Sequence, residues 1–253
     1  MATQGPRQRI EIGTVMGNAF RTLTRNFLPF AGFALLLVGL PAFLLQYLAW
    51  EQVRNFETAV FTSYYWATVG LSWICGYLLH GIIVAIAVRD LSGRPAGVAQ
   101  GVTAALARLF PMIGLSIVSG IGIALGLVLL VVPGIILMLM WMVAVPVLVE
   151  ERRGVFESLG RSAELTRGSK GWIFLLLILY WGIGMLVSGA VGALTGFQLS
   201  YDESGDMLLP IIAGAIAQTL VGMLMGAMLA ALYIELRQFK DGAAPDQLAA
   251  IFE

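Results

Sequence analysis

Few side chains in this sequence have the chemistry to act on a substrate, and their spacing withholds most of it. His80 is the single histidine and Cys75 the single cysteine. Five residues apart on a helix, they turn roughly 140° away from each other, so they cannot form a nucleophile–base pair. Together they supply too few ligands for a structural zinc ion, and no metal site is expected. HExxH, GxSxG and P-loop patterns are absent from the sequence. Glu150 and Glu151 adjoin, but Arg152 and Arg153 follow at once, which reads as a solvated charge cluster. With no catalytic constellation and no cofactor to assign, the chain is expected not to be an enzyme. His80 is expected to be a packing residue hydrogen-bonded across helices. Gln46 and Gln218 read as interhelical glue, each worth about 0.6–2 kcal/mol. These three are also the candidate intramembrane polar site.

The elements that carry those residues are helices in a membrane. Mean hydropathy is +0.88, and only 12% of residues are charged, where a soluble domain has about 25%. Apolar runs at 27–49, 61–88, 110–131, 134–149, 171–196 and 208–234 give six transmembrane helices. Residues 9–240 then form a single membrane domain, between a disordered 1–8 and a polar tail at 241–253. The first apolar run is long enough to span and lacks a clean small-residue cleavage site, so the N-terminus reads as retained. A lone cysteine excludes an intrachain disulfide.

Charge sets the orientation. Of the fifteen Lys and Arg residues, only Arg54 falls in the connections that also hold Glu51, Glu57, Asp202, Glu203 and Asp206. All the others fall on the opposite side, and short basic loops stay cytoplasmic. Both termini are therefore expected in the cytoplasm of a bacterial inner membrane. The basic surface suits anionic lipid headgroups, at about 1 kcal/mol per well-placed side chain. No loop is dense enough in basic residues for nucleic acid.

Three connections on the basic side read as amphipathic interfacial helices: Arg9–Asn26, Ala96–Leu109 and Gly154–Arg167. In the third, Glu157 and Arg161 are spaced as a favourable i,i+4 pair. Each helix begins with small residues one turn apart, Gly13 and Gly17, Gly97 and Gly101, Gly154 and Ser158, where a neighbouring backbone can approach closely. The pattern helix, span, span therefore occurs three times, suggesting three parallel repeats. The plainer reading is that any hairpin protein needs basic connectors. The pairs Gly122–Gly126, Ser188–Gly192–Gly196 and Gly222–Gly226 suit tight packing within one chain, or a homo-oligomer. Between Phe110 and Val149 no residue is charged. Two spans are expected there, turning at Val132-Pro133-Gly134, with a re-entrant hairpin as the competing reading.

Residues 133–172 carry the most specific signal: PGI, an apolar stretch with Trp141 and Pro146, Glu150, then Glu157-Ser158-Leu159-Gly160-Arg161-Ser162 and Leu165-Thr166-Arg167-Gly168. This resembles the membrane domain of some bacterial glycerophosphoryl diester phosphodiesterases. It is also similar to the related YciC-type family of inner-membrane proteins. The resemblance implies a membrane fold with a loose lipid association. It implies no hydrolase, because no phosphodiesterase domain is attached. Arg161, Arg167, Arg25 and Arg108 are the candidate contacts to lipid headgroups or a partner. The expected function is non-enzymatic, in membrane, lipid or envelope homeostasis or as a scaffold. The alternative is a small-molecule or lipid transporter or channel, with Pro41, Pro146 and Pro210 bending spans into a gate.

Overall fold

The computed structural model describes residues 11–54, 63–93, 97–195 and 208–242. The terminal segment 1–8, Arg7, Arg9, Arg94, Gly196, residues 243–253 and the acidic residues Glu57, Asp202, Glu203 and Asp206 lie outside them. Among the described residues every regular element is a helix. Three short helices, α1 (Ile12–Arg25), α5 (Val98–Leu106) and α9 (Val155–Thr166), alternate with longer ones. The first long path comprises α2 (Phe27–Ala34), a π-helical turn (Leu35–Gly39) and α3 (Leu40–Arg54). The second is α4 (Ser63–Leu91), the third α6 (Leu109–Leu129), and the fourth α7 (Val131–Met140) plus α8 (Ala144–Glu150). Helices α10 (Lys170–Leu194) and α11 (Leu208–Asp241) are the fifth and sixth. All six paths are long and apolar enough to cross a membrane, and the fold is an all-α multi-pass membrane bundle.

Proline places several helix starts. Pro29, Pro111, Pro133 and Pro146 each occupy the third position of their helix, α2, α6, α7 and α8. There the missing amide proton is one of the four that a helix start leaves unpaired anyway. This corrects the expected turn at 132–134. The break falls on Leu130, which is extended (φ −160°, ψ 139°), and Pro133 already belongs to the next helix. Pro210 likewise lies in the first described turn of α11, which runs unbroken to Asp241, so it bends nothing there. Pro41 follows the π turn, whose wider register accommodates the amide that proline removes.

The threefold pattern closes on itself. Helix α5 packs on α4, α9 packs on α8 and α7, and α1 packs on α11. Each short helix thus lies against the second span of the unit before it, with the first unit following the third. The first spans obey the same rule: α6 contacts α4, α10 contacts α7, and α2, the π turn and α3 contact α11. The second spans meet one another inside, most extensively α4 with α11. The first spans are peripheral.

Burial is concentrated toward the basic ends of those inner spans. In α4, Leu79 and Ile82 through Val88 are buried, whereas Tyr65 to Leu78 are exposed or half-buried. In the fourth span Val143 to Val149 are buried, and in α11 the core runs from Met223 to Leu236 with few interruptions. With 34 residues, α11 is about 51 Å long, well beyond a hydrocarbon core of about 30 Å. It therefore continues past the expected end at residue 234.

Small residues serve the packing unevenly. A Cβ on Gly101 would collide with Ile86 of α4, and one on Gly226 would stand 2.9 Å from Ile83 Cδ1. Gly122 lies against Trp141, and Gly126 against Gly134. Gly13, Gly17 and Gly97 do not follow suit, because nothing lies within 4 Å of an added Cβ at any of them. Helix α1 is instead buried through Val15, Ala19 and Thr22. Ser188 is exposed.

Candidate functional site

The side chains with the most polar connections gather where the fourth span, α9 and the end of α11 meet. The chain leaves α8 at Glu151 and reverses at Arg152, whose φ of 54° is a left-handed value that side chains other than glycine rarely adopt. Gly154 then starts α9, its N–H donating to Glu157 Oε2 at 3.2 Å. Glu157 is thus committed to the helix start, which corrects its expected pairing with Arg161.

Arg161 has other partners. Its Nη2 donates to Asp241 Oδ1 at 2.9 Å and Oδ2 at 2.6 Å. Its Nε lies 3.5 Å from Glu151, and its Nη1 3.5 Å from Glu164. Glu151 also accepts from Tyr233 Oη at 3.2 Å and Arg153 Nε at 2.8 Å. Arg237 Nε stands 3.7 Å from Asp241 Oδ2. The hydrogen bond from Arg161 to Asp241 is the main force raising the guanidinium's pKa above its ordinary value. Burial opposes it, and the negative charges of Asp241 and Glu151 add to it. A guanidinium facing several carboxylates stays charged and holds its geometry through directed, charge-assisted bonds.

The same helix repairs a break in the fourth span. Between α7 and α8 the residues Trp141 to Val143 form a turn, with Trp141 N–H bonded to Leu137 O and Ala144 N–H to Trp141 O. Pro146 gives the reason, since it has no amide proton for the Met142 carbonyl and its ring crowds that carbonyl. Ser162 Oγ donates to Met140 O at 2.7 Å, and Thr166 Oγ1, which donates to Ser162 O at 2.9 Å, stands 3.3 Å from the same Met140 oxygen. At membrane depth a broken backbone needs such partners from within the protein.

The other candidate arginines are free of this cluster. Arg25 Nη1 is 3.5 Å from Asp90 Oδ1, with the arginine side chain 62% exposed. Arg108 is half-buried and Arg167 exposed, and neither has an ion pair among the described residues. All three stand at equivalent places, in Leu23-Thr24-Arg25, Leu106-Ala107-Arg108 and Leu165-Thr166-Arg167, just ahead of α2, α6 and α10. An exposed apolar residue follows each within five positions of the sequence: Leu28, Phe110 and Trp172.

The intramembrane candidates do not assemble. Gln46 is half-buried, donates from Nε2 to Ala42 O at 3.2 Å and lies against Gly214. Gln218 is exposed. His80 is half-buried and has no hydrogen bond among the described residues, contrary to the expected bond across helices. That role belongs to Tyr77 on the same helix, whose Oη is 3.2 Å from Ser119 Oγ of α6. Tyr77, Tyr233 and Asp241 do not stand out in the sequence, and Ser162 and Thr166 do so only within the 133–172 stretch. Only the i,i+4 spacing of Ser162 and Thr166 offered a local clue to any of them. The sequence matches no protein-family model, and neither a curated protein nor a solved structure matches it.

Proposed function

We propose that this is a non-enzymatic multi-pass protein of a bacterial cytoplasmic membrane whose basic face holds anionic lipid headgroups, in membrane or envelope homeostasis. The observation that carries the reading is the threefold recurrence of one arrangement. Arg25, Arg108 and Arg167 each precede an apolar membrane path, and an exposed apolar residue follows each within five positions of the sequence, Arg25 also keeping an ion pair with Asp90. A cation at headgroup level next to an apolar anchor is the usual composition of a membrane-interface contact. The resemblance of residues 133–172 to lipid-associated membrane domains agrees with it. The alternative, a transporter, draws on the broken fourth span, although Ser162 and Thr166 close that break here.

Native mass spectrometry of the protein in mixed-lipid nanodiscs tests the reading. Changing Arg25, Arg108 and Arg167 to Gln, singly and together, is expected to lower phosphatidylglycerol retention about fivefold per site. Retention that ignores all three changes would overturn it.

Orientation belongs to the same proposal: the basic face and both termini are cytoplasmic. A reporter joined after Lys240 should behave as cytoplasmic, and one inserted near Asp202 as external. The reverse pattern would invert the assignment.

A further inference from the structure

We propose that Arg161 is the centre of a phosphate-binding site that the chain keeps closed with its own Asp241 carboxylate. This rests on the headgroup reading above and adds to it a site that is occupied from within. Two guanidinium groups converge on one carboxylate: Arg161 Nη2 donates to both of its oxygens, and Arg237 Nε lies 3.7 Å from Oδ2. Paired oxygens facing guanidinium donors are also what a phosphate presents. The Arg161 and Asp241 side chains keep 18% and 30% exposure, so an anion can reach them.

The acid is held on a helix end rather than in the core. Asp241 is the last residue of α11, and Gly242 follows with φ 64°. Its withdrawal disturbs only a terminal turn. Three acids face Arg161 while Asp241 is present, since Glu151 and Glu164 are each 3.5 Å away. Withdrawal opens Arg161 Nη2, which gives both of its hydrogen bonds to Asp241, to an incoming anion. Helix α9 also carries the Ser162 and Thr166 bonds to Met140. Exchange of Asp241 for a phosphate is therefore felt at the break in the fourth span.

The test uses the full chain in phosphatidylcholine nanodiscs with phosphatidylglycerol added, read by native mass spectrometry. Asp241→Asn and Asp241→Ala are each expected to raise phosphatidylglycerol retention about fivefold. Asp241→Glu should leave it unchanged, and Arg161→Gln in the Asn background should remove the gain. Inorganic phosphate is a separate arm: a melting-temperature rise in Asp241→Asn with phosphate alone identifies a free anion as ligand. A gain with lipid alone identifies the headgroup. If neither removal of the acid raises retention or melting, the closed site does not exist. Loss of lipid in the Arg25, Arg108 and Arg167 variants would then leave the surface reading standing. If those variants keep their lipid while Asp241→Asn still gains, the surface reading fails and the closed site remains.

Discussion

Gly134→Ala is expected to separate the hairpin of the third and fourth spans. Its added Cβ would stand 2.5 Å from Leu127 Cγ and Cδ2 and 2.6 Å from the Leu127 backbone nitrogen. The side chain can turn away, but the backbone nitrogen cannot. Gly126 completes the contact from the other side, since a Cβ there would stand 2.9 Å from Gly134 Cα. Lipid tails are as apolar as leucine, so close backbone approach is a principal source of attraction between spans. Overpacking such a contact costs about 3 kcal/mol, enough to remove much of the stability of an ordinary domain. Gly13→Ala is the matched control, because nothing lies within 4 Å of its Cβ and alanine favours a helix by about 1 kcal/mol. Thermal melts in detergent should show a large drop for the first and none for the second. A Gly134→Ala protein that melts with the parent would refute the backbone contact.

The second large effect is expected from Ser162→Ala combined with Thr166→Val. Both hydroxyls approach the Met140 carbonyl, at 2.7 and 3.3 Å, and both residues are fully buried. Thr166 Oγ1 lies nearer to Ser162 O, at 2.9 Å, and turns to the Met140 carbonyl when Ser162 is gone, so each single change should cost about 0.6 kcal/mol, a typical membrane hydrogen bond. Removing both strands a buried carbonyl, at about 2 kcal/mol. The double change should therefore exceed the sum of the singles. Melts of the four proteins give the coupling directly, and strict additivity would mean that the carbonyl finds another partner.

How much of this was legible in the sequence depends on how far each interaction reaches along the chain. The six spans were readable because hydrophobic length is a local property: Phe110 to Val149 contains no charge and is too long for one span. Boundaries were less secure. A proline looks the same at the end of one helix as in the first turn of the next, and this misplaced the turn that falls at Leu130. The charged cluster was readable only in part. Arg161 stood out on its own, yet its main partner lies 80 residues away in what read as a polar tail. Spacing suggested Glu157 as its partner because helix periodicity knows nothing of a competing helix start. The glycines of α1 failed for a related reason. Gly13 and Gly17 share the spacing of Gly97 and Gly101, of which only Gly101 is close-packed, and α1 turns Val15 and Ala19 to its neighbour instead.

The contact of α1 with α11 has a consequence for how the molecule is ordered in time. Two of the three junctions between units are made by peptide connections, and the third by packing alone. The same pairings recur at all three junctions, most extensively at the one made by packing alone, so the fold reads as a ring cut once. Circular permutation acts on such an arrangement by moving the cut rather than by changing the ring. Which unit leads is then a matter of synthesis. During insertion α1 can meet α2 and α4 early, but its most extensive contact must wait for α11 to arrive.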